Sequence, residues 1–413
     1  MELLKDILKI LYYAINIYIL LYGLYYLVTA LFAFKKKTIV RRYKAKHKIA
    51  VLIAARNEAK VIRNLIDSLK KQKYPDKLYD IFVIPNNCTD NTEEIAVKAG
   101  AKIIECNGVI KSKGDVLKQA FKYMGIMEND YEAYCIFDAD NIVHGNFLNR
   151  MNDALCSGYK VAQGFRDTKN SDKTWISSCY SLFYLTQNYF FNSARMNMNW
   201  SASINGTGFM ISKEVIDEYG FDTVTITEDI EYAALCALNN VKIGFIDDAI
   251  TYDEQPITFA QSWKQRTRWS IGTMQCLYRY SGKLIKTGIK QRIPQCIDMA
   301  LFFMAPVIQI LSLIVIGLFI LVGLMSIKVL SASRIIFENA GLFVIAGYLI
   351  CVVMSLLVLK LQKKSIRKSL KGVFTLSIFM ISWIPINMIS LYKKDHFWEP
   401  IEHVEDITIE DLV

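Results

Sequence analysis

Asp138-Ala139-Asp140 follows directly on the apolar run Cys135-Ile136-Phe137. Two carboxylates one residue apart at a strand end can hold a hard cation with one member and a ribose hydroxyl or a water with the other. Magnesium takes only one or two protein carboxylates and leaves its other positions to phosphate oxygens and water. Taken alone, such a pair also decorates solvated turns. A second acidic group, Thr227-Glu228-Asp229, begins an apolar helical pattern through Ile230, Ala233, Ala234 and Leu238. It reads either as a helix cap, with the acids favoured by the helix dipole, or as a general base, Asp229 or Glu228, at a ligand edge. The third group is Gln265-Arg266-Thr267-Arg268-Trp269. Gln265, Arg268 and Trp269 share one helix face by their spacing. Arginine can clamp a diphosphate and tryptophan gives a sugar ring an apolar face. The same run would also suit an interfacial helix with a tryptophan anchor.

These residues need a frame. Ile49–Ala54 reads as a buried strand, followed by Asn57, Glu58 and a helical pattern in Val61, Ile62, Leu65, Ile66 and Leu69. Tyr79–Ile84 is a second strand leading to Asn86, Asn87 and Cys88, with a helix from about Asp90. Ala101–Cys106 is a third strand, Val116–Met124 a helix, and Tyr134–Phe137 a fourth strand ending at Asp138. Strands alternating with helices predict an α/β, doubly wound, mostly parallel sheet. Ligands bind beyond the carboxyl ends of such strands, where Asn57, Glu58, Asn86, Asp90, Asp138 and Asp140 stand. Trp175–Ala194 lacks charge but is rich in Ser, Gln, Asn and Tyr, which predicts a helix packed on the domain.

The hydrophobic fraction of 53% is high for a soluble protein, and the excess gathers at the two ends. No charge interrupts Lys9 to Lys35, Asp298 to Lys328, Glu338 to Lys360 or Lys371 to Lys393. Each run reaches the ~20 residues a membrane helix needs. The first is too long for the apolar core of a signal peptide, and Lys35, Lys36, Lys37, Arg41 and Arg42 follow it, as in an anchor whose next segment stays cytoplasmic. The net charge of +10 sits beside these runs, at Lys35–Lys48 and Lys360–Lys371, where it would meet anionic headgroups. No nucleic-acid module is present, so that partner is excluded. The nine cysteines include no C-x-x-C pair and no zinc spacing, which fits a reduced, cytosol-facing domain. Phe259, Trp263, Met274 and Leu277 form an apolar stripe beside Lys264, Gln265, Arg266 and Arg268, an amphipathic helix of the interface plane.

Taken together and in this order, D-x-D, T-E-D and Q-x-x-R-W resemble the processive family-2 inverting glycosyltransferases: the cellulose, hyaluronan, chitin and poly-N-acetylglucosamine synthases. The resemblance runs from about Ile49 to Trp269 and implies a GT-A-like domain. It further implies that Ala55-Arg56-Asn57-Glu58 is the first nucleotide-contacting turn, with Glu58 near the ribose. Asp90 would contact uracil, Lys113-Gly114 would lie near the diphosphate, and Asp138 and Asp140 would be the nucleotide and metal ligands. Gly206-Thr207-Gly208 would lie beside the acceptor sugar, with Asp229 the base. Gln265, Arg268 and Trp269, with Arg266 in the same run, would form the gate over diphosphate and acceptor. Many members carry Asp-Asp-Gly-Ser where this chain has Pro85-Asn86-Asn87-Cys88; the Asn86 amide can still pair with a uracil.

The mechanism so implied has a UDP-sugar donor on Mg²⁺ or Mn²⁺ held chiefly by Asp140, and Asp229 deprotonating an acceptor hydroxyl. The sugar transfers with inversion to a growing β-linked glycan. The base role requires no unusual pKa, since aspartate is ordinarily ionised at pH 7. Two rivals stand beside it: single-sugar transfer to a lipid carrier, and a non-enzymatic channel or assembly subunit. The expected organisation is an N-terminal transmembrane helix (1–34), a basic juxtamembrane segment (35–48), a cytosolic transferase domain (49–258), amphipathic interfacial helices (259–297), a C-terminal membrane region (298–392) and an acidic tail (393–413). Pro385 in the last apolar run predicts a re-entrant or interfacial segment. That would keep Trp398 to His403 of the tail in the cytosol. Gln309, Ser312, Asn339, Ser355, Ser382 and Asn387 could line a polar path for a secreted glycan.

Overall fold

The computed structural model describes residues 2–35, 38–108, 110–127, 130–324, 327–393, 405 and 407–412. Trp398 to His403, Lys36 and Lys37, and the side chain of Asn339 lie outside the described residues. A long helix α1 (Glu2–Leu31) precedes an eight-stranded sheet: β1 (Ile49–Ala55), β2 (Tyr79–Pro85), β3 (Lys102–Ile103), β4 (Ala133–Asp138), β5 (Ile142–Val143), β6 (Val161–Thr168), β7 (Phe209–Ser212) and β8 (Ile243–Asp253). The order across the sheet is β3-β2-β1-β4-β7-β6-β8-β5. Pairs β1–β2, β1–β4, β2–β3 and β6–β8 are parallel, whereas β7 runs antiparallel to both β4 and β6, and β5 to β8. The sheet is therefore a mixed GT-A-like one. Its parallel half matches the sequence reading, and the short β7 reverses direction at its centre. The third strand covers only Lys102–Ile103 of the expected run.

Among the helices, α2 (Ile62–Lys70), α3 (Thr92–Lys98), α4 (Lys113–Ile126) and α5 (Phe147–Cys156) fill the first crossovers, followed by α6 (Trp175–Thr186), α7 (Ala194–Asn197), α8 (Lys213–Tyr219) and α9 (Glu228–Leu238). Strand β1 is buried along its length because both faces are covered, as a parallel strand requires. Ile49, Val51 and Ile53 face Leu65, Leu69 and Met151, while Ala50 and Leu52 face the layer of Val116, Leu117 and Ala120. Trp175–Ala194 packs on the domain as expected, but a wide π-type turn over Gln187–Ser193 interrupts it. Such turns are frequent at functional sites.

Beyond the sheet run α10 (Phe259–Gln291), α11 (Pro294–Phe303), α12 (Ala305–Leu324), α13 (Ile327–Leu361), α14 (Ile366–Ile381) and α15 (Trp383–Tyr392). Among the described residues three helices are long and apolar enough to cross a membrane, Asp6–Phe34, Val344–Leu361 and Ile366–Tyr392; α11 and α12 meet the same test together but are bent by 51°. Tyr25 and Arg195 both bind Asp298 of α11, at 2.6 and 2.7 Å, which fixes α1 and α7 to that bend.

Several cations of the basic segments have partners among the described residues. Arg42 pairs with Asp248 at 2.5 Å and Lys48 with Asp130 at 2.5 Å. In the second patch Lys364 pairs with Asp167, and Lys371 donates to the main-chain oxygens of Asp172 and Lys173. These cations bind the domain's own acids and carbonyls and so dock the flanking segments on the sheet domain.

Candidate active site

The carboxyl ends of β1 and β4, the first turn of α9 and one face of α10 converge on a cavity of about 580 Å³. Its walls include Arg56, Glu58, Lys113, Asp138, Asp140, Gly206, Glu228, Asp229, Gln265, Arg268 and Trp269. The three acidic and basic groups singled out in the sequence are thus brought together although up to 131 positions separate them.

Asp138 ends β4, and its N–H donates to Thr207 Oγ1 at 3.0 Å. The Lys113 ammonium, at the start of α4, donates to Asp138 Oδ1 at 2.5 Å and to the Gly206 oxygen at 2.7 Å. Burial works against this ammonium, but Asp138 and Glu228 carry its pKa above the ordinary lysine value. Asp140 is buried, and its Oδ2 accepts the Glu254 N–H at 2.9 Å. Glu58 is pushed up to about 9 by burial and then by the carboxylates of Asp140, Asp138, Glu254 and Asp90. Negative charge is crowded here to a degree that a bound cation would relieve.

Glu228 and Asp229 open α9 at the facing wall. Burial raises both pKa values; the Asp229 carboxylate raises Glu228 further, while the Ile230 N–H, Arg268 and Lys113 oppose the rise at Asp229. A base role does not require a shifted aspartate, but burial gives Asp229 one. Nor does the Thr227 side chain cap α9. Gly272 of α10 lies so close that a Cβ there would meet Thr227 Oγ1 at 2.2 Å.

Of the Gln265–Trp269 run, Gln265, Arg268 and Trp269 face the cavity, with Trp269 stacked on Trp383 at 6.3 Å. Arg266 does not. It is fully buried on the opposite side, where its Nη1 donates to the Phe379 oxygen at 3.0 Å and to Ser382 Oγ at 2.8 Å. Residues two apart on a helix point in different directions, so Arg266 holds the α14–α15 junction and leaves the gate.

Other expected contacts also fall elsewhere. Thr207 and Gly208 lie behind the cavity wall, and only Gly206 of that turn reaches it. Asn86 is buried with its Nδ2 donating to the Ala55 oxygen at 2.9 Å, and Asp90 accepts from Ala59 and Thr92. Neither faces the cavity; both tie the loops after β1 and β2 together. Burial opposes ionisation of Asp90, but hydrogen bonds from Thr92 and Ala59 hold its pKa below the ordinary range.

The sequence reading missed Arg166, Asp253, Glu254, Asn205 and Gln187. Arg166 donates to Asp253 at 2.6 Å and to the Asn205 oxygen at 2.7 Å, beneath the wall beside Asp229. An acid pair at a strand end, Asp253-Glu254, carried the same signal as Asp138-Ala139-Asp140. Gln187 is aimed inward by the π-type turn, which hydropathy does not reveal. On this wall Asn205 Nδ2, Gln187 Oε1, Gln265 Oε1 and Trp383 Nε1 are buried without a hydrogen-bond partner among the described residues. The cavity is also lined by Phe302, Pro306 and Met380, and by Gln309 of α12 and Asn387 of α15, which hydrogen-bond at 2.7 Å.

Residues 47–272 match the family described as "Glycosyltransferase like family 2". The chain is 28% identical over 269 residues to "Probable glycosyltransferase YdaM" of Bacillus subtilis, covering 62% of this chain and 61% of that one. It is 25% identical over 248 residues to poly-β-1,6-N-acetyl-D-glucosamine synthase of Staphylococcus epidermidis, 58% of each. It is 22% identical over 267 residues to β-monoglucosyldiacylglycerol synthase of a Nostoc species, covering 62% and 55%. The chain therefore spans less than two thirds of the length of these curated relatives. Among solved structures, a mannosyltransferase of Pyrobaculum calidifontis in complex with GDP-Man and Mn²⁺ superposes with a TM-score of 0.63 at 14% identity, covering 94% of this chain and 100% of that one.

Proposed function

Since the chain belongs to glycosyltransferase family 2, we propose that it transfers a sugar from a nucleotide-sugar to a glycan acceptor at the membrane surface, with inversion, and repeats the step to build a polysaccharide. The observation that carries this reading is one continuous cavity joining Asp138 and Asp140 to Glu228, Asp229, Arg268 and Trp269.

Asp138 and Asp140 offer hard oxygen donors at a strand end, a set that suits magnesium or manganese with diphosphate oxygens and water completing the shell. Such a cation would neutralise charge on the leaving diphosphate. Lys113 and Arg268 stand on either side to stabilise the same oxygens. Asp229 takes the proton of the acceptor hydroxyl, which attacks the anomeric carbon from the face opposite the nucleotide. Trp269 supplies an apolar face for the acceptor ring.

The unpartnered atoms of Asn205, Gln187, Gln265 and Trp383 favour a hydroxyl-rich acceptor, because buried polar groups in folded proteins are nearly always hydrogen-bonded. The Staphylococcus relative is named for a polysaccharide product and the Nostoc relative for a glycolipid. A lipid acceptor is the second reading, favoured by Phe302, Pro306 and Met380 at the membrane end of the cavity.

The tail supports a topology. Glu405 and Glu410 pair with Lys173 and Lys71 of the sheet domain, which favours tail and domain on one side and so an even number of crossings between them. The Gly372 N–H of α14 donates to Ser178 of α6 at 3.0 Å. The bent α11–α12 pair and α13 then cross while α14–α15 lies in the interface. The basic residues beside α1 support a cytosolic domain.

The test is purified full-length protein incubated with labelled UDP-sugars and GDP-mannose. Expected are nucleotide release, loss of activity in EDTA with recovery on adding Mn²⁺ or Mg²⁺, and a product ladder cut by linkage-specific hydrolases. A label extracted entirely into organic solvent selects the lipid reading. No nucleotide release from any donor rejects both.

A further inference from the structure

Lys169 follows β6, and its side chain is only 1% exposed. An ammonium has three donors, and three acceptors meet this one. They are the main-chain oxygen of Asp140 at 3.0 Å, the Glu254 carboxylate at 3.2 Å and the main-chain oxygen of Glu405 at 3.4 Å. Glu254 reaches the same two neighbours. Its N–H donates to Asp140 Oδ2 at 2.9 Å, and its carboxylate accepts the Glu405 N–H at 3.2 Å. Glu405 belongs to the C-terminal tail, and its own carboxylate pairs with Lys173 at 3.1 Å. The loop bearing Asp140 and the tail therefore share two buried, oppositely charged side chains.

Buried charges are costly to leave short of partners. Undocking the tail takes one of three acceptors from Lys169 and a donor from Glu254. These are the groups that hold Asp140 from behind, one at its main-chain oxygen and the other at its carboxylate. We propose that Lys169 is a positioning residue that couples docking of the tail at Glu405 to the geometry of Asp140, so that tail docking and cation binding at Asp140 strengthen each other. This rests on the reading of Asp140 as a cation-holding residue. Such coupling is reciprocal: each event must favour the other by the same factor.

The probe is Mn²⁺ alone, added to the full-length protein. Two quantities are measured: the Mn²⁺ dissociation constant by electron paramagnetic resonance, and hydrogen exchange over 405–412 with and without Mn²⁺. Mn²⁺ is expected to slow tail exchange in the unaltered protein by about fivefold or more, the lower end of ordinary coupling. Lys173→Glu, at a position 53% exposed, repels the Glu405 carboxylate while leaving the core intact. It should weaken Mn²⁺ binding by a similar factor. Lys169→Met should remove the effect of Mn²⁺ on tail exchange, with Lys173→Glu keeping the idea testable if that variant fails to fold. Mn²⁺ affinity that depends on Asp140, as judged by Asp140→Ala, but ignores Lys173→Glu overturns the coupling alone. Mn²⁺ affinity indifferent to Asp140→Ala overturns the cation reading and the coupling with it.

Discussion

Asp229 Oδ2 lies 3.3 Å from where a Cβ on Gly206 would stand, so the turn at Gly206 faces the carboxylate with no side chain between them. Gly206 has φ +82°, a conformation that favours glycine, and its main-chain oxygen is held by Lys113. Asp229→Asn keeps this shape and removes the proton acceptor. Turnover should fall by about 10²–10⁴-fold with donor binding little changed; a variant retaining about a tenth of wild-type turnover would pass the base role to Glu228. The pH profile is a second check. The base must be ionised, and burial raises the pKa of both Asp229 and Glu228. Activity should therefore decline, as pH falls, above the ordinary aspartate range near 3.9. A decline confined to that ordinary range would contradict the buried base. At this scale the sequence was legible where chemistry is rare, as at Asp138, Asp140 and Asp229. It was illegible where one residue type serves packing as well as chemistry: Arg266 and Arg268 look alike in the chain, and only the neighbours of α10 separate them.

The element that organises the site is α10, which carries Gln265, Arg268 and Trp269 over the cavity and meets α9 at Gly272. Glu231 of α9 accepts the N–H groups of Val224 and Thr225 and the Tyr280 hydroxyl of α10, so the two helices are joined at both ends of their contact. Gly272→Ala would place a methyl group inside the radius of Thr227 Oγ1 and push α10 away from the α9 start. An error of 1 Å at such a site can cost about 10²-fold in rate. Turnover should drop by roughly one to two orders of magnitude in a variant that still folds and still binds nucleotide. Unchanged turnover would mean that the gap closes without moving Arg268 and Trp269. Hydropathy period predicted α10, α4 and the parallel strands because their burial is one-sided or continuous. It could not predict β7, four residues long and antiparallel to both neighbours, since pairing direction comes from the chain's path and not from local pattern. Nor could it show that Thr227 leaves α9 uncapped, which follows from the approach of Gly272.

At the scale of the whole molecule, the cavity reaches from the sheet to helices apolar enough to enter a bilayer, and its far end decides where a product can go. Six residues were candidates for a polar path. Ser312, Ser355 and Ser382 instead donate to the main-chain oxygens of Ile308, Cys351 and Phe379 on or beside their own helices, as small polar residues in membrane helices commonly do. Of those whose side chains are described, Gln309 and Asn387 remain, paired with each other at 2.7 Å, with Ser270 donating to Asn387. In the proposed function this group would be the floor of the acceptor end. Its amides bridge α12 and α15, and the chain Ser270–Asn387–Gln309 links it to α10, one residue beyond Trp269. A glycan growing past Trp269 would meet groups that can both donate to and accept from its hydroxyls, whereas an acyl chain would gain nothing from them. Inverted vesicles containing only this protein and supplied with labelled donor outside should therefore accumulate polymer protected from added glycosidase until detergent is present. Replacing both Gln309 and Asn387 by leucine should shorten the polymer while leaving nucleotide release intact, because the donor site lies at the other end of the cavity. Polymer digested without detergent would place synthesis on the cytosolic face with no coupled export. Full-length product from the double variant would remove the floor from the acceptor path.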